Sequence, residues 1–471
     1  MDRRKFSFSI IAAAALAGCG GGDGFQIPTV TTGGDSGTPT PTGPELASAT
    51  SLPAATLFPQ SVTNNDPDAA SVAPGQANYF DLDRDFTIMD GGNDQLDGAL
   101  YLSITVNGTS YDFPSDQTYA ELTALGPELT AADGLKTVSF TTDAPWVADG
   151  ARSAVLHAVP DARLQQRLDL TGATGALSLT WGGYPNVGYN YPDEPYFCQV
   201  VVRDTAGALL DTLYRQDRSG SSGTWGSASL TAHAGQVVVL SFESCATYGA
   251  VVIDDVALVD GASVSYVTNG DFEAGGTGWT VPDLRVSQNV RTGARSITGV
   301  GSVQRTFFTQ PNALWGRMTD TFTNTSGADL AATIQYYTNL GSDGWGIVYA
   351  TPGATAKALT TWDGRTGDRD VGLVFGTADT VTYTSASAIA THDGSDDIYV
   401  QYNVTVPAGG TVTLVNFVIL SGTDTGATAT SASARATDVD TIAADIANNF
   451  RTNFAYQRGL TQDQLDTLKN F

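Results

Sequence analysis

The sequence predicts a mostly β protein of packed sheets that ends in two short helices. Strand-length apolar alternations, separated by Gly, Pro, Asn and Asp, recur along the chain, which holds 52 Gly in 471 residues. Val251–Val259 is apolar at almost every position, as a strand buried on both sides must be. Only near the end does the period change: Val439, Ile442, Ala443, Ile446, Ala447, Phe450 and Phe454 recur at helical spacing.

The first residues are a targeting segment. Arg3, Arg4 and Lys5 precede the apolar run 10–17, which is too short to span a membrane as a helix. Leu16-Ala17-Gly18-Cys19 resembles a bacterial lipobox, which implies cleavage before Cys19 and acylation of its thiol. Arg3-Arg4-Lys5-Phe6 is similar to a twin-arginine signal, so export runs by the general or the twin-arginine route. The residue after Cys19 is Gly20 and not the Asp that resembles an inner-membrane retention signal, which points to the outer membrane. Residues 20–77 are rich in Gly, Thr, Pro and Ser and read as a tether, because they bury too little surface to offset their ordering entropy. Leader 1–19 and tether 20–77 make the lipid the chain's only membrane attachment.

A formal charge of −26 argues against nucleic acid, whose phosphates would be repelled. Neutral glycans, cell-surface polymers and calcium remain admissible partners. With Cys19 lipidated, Cys198 and Cys245 are left, and an even remainder in an exported chain suggests a disulfide; two buried thiols are the alternative.

Phe80–Gly98, FDLDRDFTIMDGGNDQLDG, is acidic but lacks the glycine that an EF-hand loop needs, since Phe86 occupies that place. It reads as a turn-rich hairpin before the strand LYLSITVNG. DGGNDQLDGALYLSITVNG resembles the opening of a β-rich module recurrent in large exported bacterial proteins. LWGRMTDTFTNTSG, TNLGSDG and DDIYVQYNVTVPAGGTVTLVNFVIL resemble later parts of the same module. The resemblance implies a discontinuous β-sandwich, 78–112 plus 284–471, interrupted by an insert at 113–283. Insertion at an exposed hairpin is physically cheap, since loop-closure cost grows slowly with length.

Within the insert, LQQRLDLTGATGALSLT is strand, turn, strand. The next segment, WGGYPNVGYNYPDEPYF, sets Trp181, Tyr184, Tyr189, Tyr191 and Tyr196 among Gly, Pro and Asn. Rings on a loop offer flat apolar plates for sugar. Each ring has the alternative of capping the core, Trp181 above all because it closes a strand. In Val251–Val259 alternation puts Asp254 and Asp255 on opposite faces, and buried carboxylates demand partners. IDDVALVD and NGDFEAGGTGW resemble the closing and opening segments of jelly-roll modules of carbohydrate-binding and MAM-like domains. That resemblance implies a jelly-roll insert and, by position, a structural calcium held by Asp255, Asp271 and Glu273; backbone hydrogen bonding by the same carboxylates is the alternative.

After the insert, Asp397–Val406 alternates cleanly, and PAGG turns it into Thr411–Leu420 as a hairpin. Thr461 and Gln464 form a capping box, with Leu460 and Leu465 as its staple. No catalytic motif occurs: the three histidines stand in no metal pair, and no G-x-S-x-G elbow or phosphate loop is present. The expectation is a lipid-anchored surface protein that binds glycan through the aromatic segment. The alternatives are an adhesion or self-assembling protein and, third, a hydrolase using a carboxylate pair.

Overall fold

The computed structural model of the chain describes residues 80–82, 86–89, 96–112, 123–129, 137–142, 146–157, 162–186, 197–217, 220–221, 225–245, 250–282, 286–310, 313–340, 348–350, 358–362, 371–377, 381–383, 397–420 and 438–471. The expected leader 1–19 with Cys19 and the expected tether 20–77 lie outside the described residues. The described body is mostly β, with its α-helices confined to the end and a short 3-10 helix at Thr231–His233. Its strands form four sheets, and all named strand pairs are antiparallel.

Two sheets and a helical layer make one sandwich. The front sheet centres on Leu96–Val106, Leu330–Leu340 and Asp397–Val406. The middle sheet centres on Gly301–Thr309, Trp315–Asn324 and Thr411–Leu420. Alternation places Ile104, Ile334 and Tyr402 of the front sheet in one core with Phe307, Met318 and Leu414 of the middle sheet. The other face of the middle sheet, with Phe308, Trp315, Val415 and Phe417, takes the helical layer through Val439, Ala443, Ile446 and Phe450. A sheet covered on both faces must be apolar on both, and Thr411–Leu420 is buried at every position after its first.

Three expectations change here. Asp397–Val406 and Thr411–Leu420 are not a hairpin: the first pairs within the front sheet and the second within the middle sheet, so PAGG carries the chain between layers. Asn324 holds that crossing, its Nδ2 donating to Val406 O and Pro407 O, both at 3.0 Å. Thr123–Leu129 pairs with Val286–Arg291 in the middle sheet, so the sandwich continues past the expected insert start at residue 113. Pro127 within that strand hides it from a reading by alternation. Finally, the tail forms three helical segments, Asp438–Asn449, Phe454–Gln457 and Gln462–Asp466. The apolar stripe runs on to Phe454, but the first helix ends at Asn449, and Asn453 caps the second by accepting from Ala455 N. The capping box of Thr461 and Gln464 is formed at the third.

The insert is a sandwich of two five-stranded sheets. The first runs Ser227–Ser229, Ser178–Asn186, Ala250–Val259, Ser153–Leu156, Val138–Thr141. The second runs Gly220–Ser221, Leu209–Asp217, Phe197–Arg203, Val237–Cys245, Ala162–Asp169. Leu164, Val200, Leu240 and Phe242 from the second sheet meet Leu179, Trp181, Ile253 and Leu258 from the first.

Candidate functional site

The strand Ala250–Val259 does not alternate throughout. Its register with Ser178–Asn186 shifts between Asp254 and Ala257, and Asp255 takes a φ of +47°. One extra residue moves the inward set from Val251 and Ile253 to Val256 and Leu258. The bulge resolves the cost of two aspartates in a core strand. Asp254 is buried but satisfied: it accepts from Ser153 Oγ at 2.6 Å, Asp255 N at 2.9 Å and Asp149 N at 3.1 Å. Asp255 is pushed out to solvent.

There Asp255 lies over Gly182, where an added Cβ would stand 3.6 Å from its own. Desolvation, followed by repulsion from Asp254, Asp149 and Asp271, raises its carboxyl above the ordinary range, and it shares a hydrogen bond with Asp149. Asp271 therefore contributes field to this corner. Glu273 is spent otherwise, accepting from Ala151 N at 2.7 Å and Arg152 N at 3.1 Å to close the turn that carries Asp149. Asp255, Asp271 and Glu273 thus do not converge as a ligand set. Among the described residues, no group of three or more His, Cys, Asp or Glu side chains is arranged to hold a metal ion. The residues present do not fit the calcium site that the resemblance implies.

The aromatic residues separate. Trp181 points into the insert core at 4% exposure, edge-on to Trp225 at 5.7 Å and to Phe242 at 6.1 Å. It is core, which overturns its role as a ligand plate. Tyr184, three residues along the same strand and opposite Val252, faces the other way as alternation requires. Its half-buried ring lies 6.2 Å from Trp146 at 34°, and both pack on Val155 and Val252. Burial raises the Tyr184 hydroxyl above its ordinary range. Tyr189, Tyr191 and Tyr196 lie outside the described residues.

Trp146 and Asp149 are the members that sequence reasoning missed. Both belong to the segment PWVADG, which shows no alternation and no aromatic neighbour. The arrangement is therefore a partly exposed aromatic pair beside a solvent-facing carboxyl pair, Asp149 and Asp255. Such a corner offers a ring face for apolar C–H surface and acceptors for hydroxyl groups.

The disulfide is also overturned. Cys198 pairs with Ser244, and Cys245 pairs with Phe197, so the two cysteines are offset by one residue on adjacent strands. Side chains alternate along a strand, so the thiols point to opposite faces of the sheet. Both are buried and no bridge joins them. Burial pushes the Cys198 thiol up to about 12.

The described histidines serve local contacts: His157 Nε2 meets Ser139 Oγ at 2.9 Å, and His233 Nε2 meets Asp211 Oδ2 at 3.3 Å. The outward side of the second insert sheet carries a buried acid, Glu243, which accepts from Arg203 Nε at 2.6 Å, Arg203 Nη2 at 2.8 Å and Ser241 Oγ at 2.7 Å. These bonds outweigh desolvation and hold its carboxyl below the ordinary range.

No family model matches the sequence, and no curated protein does. In structure the chain is similar to a protein of Klebsiella pneumoniae subsp. pneumoniae assigned as an aldose 1-epimerase, at 9% identity and a TM-score of 0.20. The match covers 36% of this chain and 58% of that one, so the chain spans a little over half the length of its neighbour. A likeness at that level carries no inference about activity.

Proposed function

We propose that this chain is an exported, lipid-anchored envelope protein that binds glycan through its inserted β-sandwich. The observation that carries the reading is the Trp146–Tyr184 pair, 6.2 Å apart and partly exposed, next to the outward Asp255 and its partner Asp149. A sugar ring stacks its C–H face on an aromatic ring and satisfies its hydroxyl groups on nearby carboxylates. Both rings already rest on Val155 and Val252, so little motion is lost when a ligand arrives. The anchor part of the reading rests on Leu16-Ala17-Gly18-Cys19 and the basic residues before it.

A glycan array with the full chain tests the binding part. The expected result is retention of one sugar class, reduced in both Trp146→Ala and Tyr184→Ala; no retention on any sugar would sink the reading. Labelled palmitate tests the anchor. Incorporation in cells should vanish with Cys19→Ala, and label that persists would place the lipid elsewhere or nowhere.

A further inference from the structure

The front sheet turns one face to the core and the other to solvent. Its three central strands are in register, so outward side chains fall into rows across them. Tyr101, Tyr337 and Tyr399 stand directly opposite one another in the first row. Ser103, Gln335 and Gln401 make the second row, and Thr105, Thr333 and Asn403 the third. Along the first row the ring centroids are 5.5 Å apart for Tyr101 and Tyr337 and 4.9 Å for Tyr337 and Tyr399.

These rings are held in place and partly exposed. Tyr337 Oη donates to Asp397 Oδ1 at 2.7 Å, and Tyr101 Oη donates to Asp97 O at 3.2 Å. Gly98, at a φ of +134°, clears the space for Tyr101: a Cβ at residue 98 would stand 2.6 Å from its Cε2. A larger residue would displace the ring, so backbone and ring are fitted to each other. The rows also lack charge. In a chain of net charge −26, no side chain that the three central strands give to these rows is ionised; Asp112 flanks the second row opposite Ser103 on the adjoining strand Thr109–Asp112, and the nearby Asp397 already accepts from Tyr337.

We propose that this face docks a neutral, polyhydroxylated polymer, a glycan chain without ionised groups. Fixed tyrosines supply apolar contact at small entropic cost. The amides and hydroxyls of the next two rows both donate and accept, as do sugar hydroxyls. Charge decides the class: an anionic polymer meets the repulsion of the whole chain, and a cationic one finds a carboxylate only at the edge of the rows, at Asp112, and none among the central side chains that would contact it. The surface shares no residue with the Trp146–Tyr184 corner and does not depend on it.

The test is co-sedimentation of the full chain with microcrystalline cellulose and with chitin, using a polygalacturonate gel as the charged control. Retention on at least one neutral polymer is expected, unchanged from low to high salt because no ion pair is involved. Tyr101→Ala with Tyr399→Ala should weaken it roughly tenfold or more, from the loss of two ring contacts. Gln335→Glu with Gln401→Glu should weaken it as well, and decides the matter if the tyrosine variant fails to fold. Trp146→Ala should leave it unchanged. The proposal is overturned by retention on neither neutral polymer, by retention on the charged gel alone, by sedimentation of the chain without polymer, by retention that survives the glutamine changes, or by its loss in Trp146→Ala.

Discussion

Arg305 and Asp320 stand directly opposite each other on adjacent strands, Nε to Oδ1 at 2.9 Å, with both side chains wholly buried. The pair joins the sheets of the flanking sandwich. Arg305 also donates to Leu100 O at 2.7 Å and Phe86 O at 3.4 Å, and Tyr336 Oη donates to Asp320 Oδ2 at 2.7 Å. Leu100 and Phe86 are non-glycine residues in the left-handed region, at φ +62° and +64°. The guanidinium thus rests on two carbonyls of strained backbone.

Removing one member of this pair strands the other. Asp320→Ala is expected to cost about 3–5 kcal/mol, as for other broken buried pairs. Arg305→Met with Asp320→Leu should cost less, because no charge is left unpaired, although Leu100 O, Phe86 O and Tyr336 Oη lose these partners. Urea unfolding of both variants decides: an equal loss in the single and the double would mean that the pair is not the tie described.

Two tryptophans of the insert should behave oppositely. Trp181 is buried against Phe242 and Trp225, so Trp181→Ala should destabilise the insert by about 3–5 kcal/mol. Trp146 sits on the surface cluster with Tyr184, so Trp146→Ala should lower the melting temperature far less. Calorimetric melting of the two variants checks the ranking.

Cys198 and Cys245 should be thiols in the isolated protein. Peptide mapping after alkylation in denaturant should find both modified without prior reduction, and reductant should leave the unfolding midpoint in place. In the native state both should react slowly, since they are buried. A Cys198–Cys245 crosslinked peptide would contradict the strand register itself.

Asp260 gives the insert an acid-sensitive turn. It accepts from Thr174 N at 3.0 Å and from Ala262 N and Val264 N, both at 2.9 Å. The backbone bond from Thr174, then that from Val264, holds its carboxyl well below the ordinary range. A depressed folded-state value means the stabilisation is present above the unfolded carboxyl range, near about pH 4, and is lost as pH falls below it. Asp260→Asn should therefore flatten the loss of stability between about pH 4 and pH 2. A variant with the same acid slope as the parent would assign that slope to other carboxylates.

Much of the fold is legible because burial follows period. Ile398, Val400, Tyr402, Val404 and Val406 are inward as their alternation predicts, and Val439, Ala443, Ile446 and Phe450 face the middle sheet. Period tells which face is buried, though not which strand lies beside it. PAGG has the composition of a hairpin turn, and only the sheets on either side make it a crossing. The bulge at Asp254–Asp255 is equally silent: one added residue reverses the faces of Val256 and Leu258, with no change of composition to announce it. The site is hidden for another reason: the segment from Trp181 reads as a loop, whereas Ser178–Asn186 is a strand, on which alternation separates the rings. Trp181 and Tyr184 are three residues apart and face opposite sides, and Tyr184's partner Trp146 comes from a segment without pattern.

The most direct test of glycan binding by the insert is calorimetric titration of the full chain, and of Trp146→Ala, with the sugar best retained on the array. Loss of the Trp146 ring should weaken affinity roughly tenfold, about 1.4 kcal/mol, with the melting curve little changed. An unchanged affinity in Trp146→Ala would contradict the assignment of this corner as the binding site.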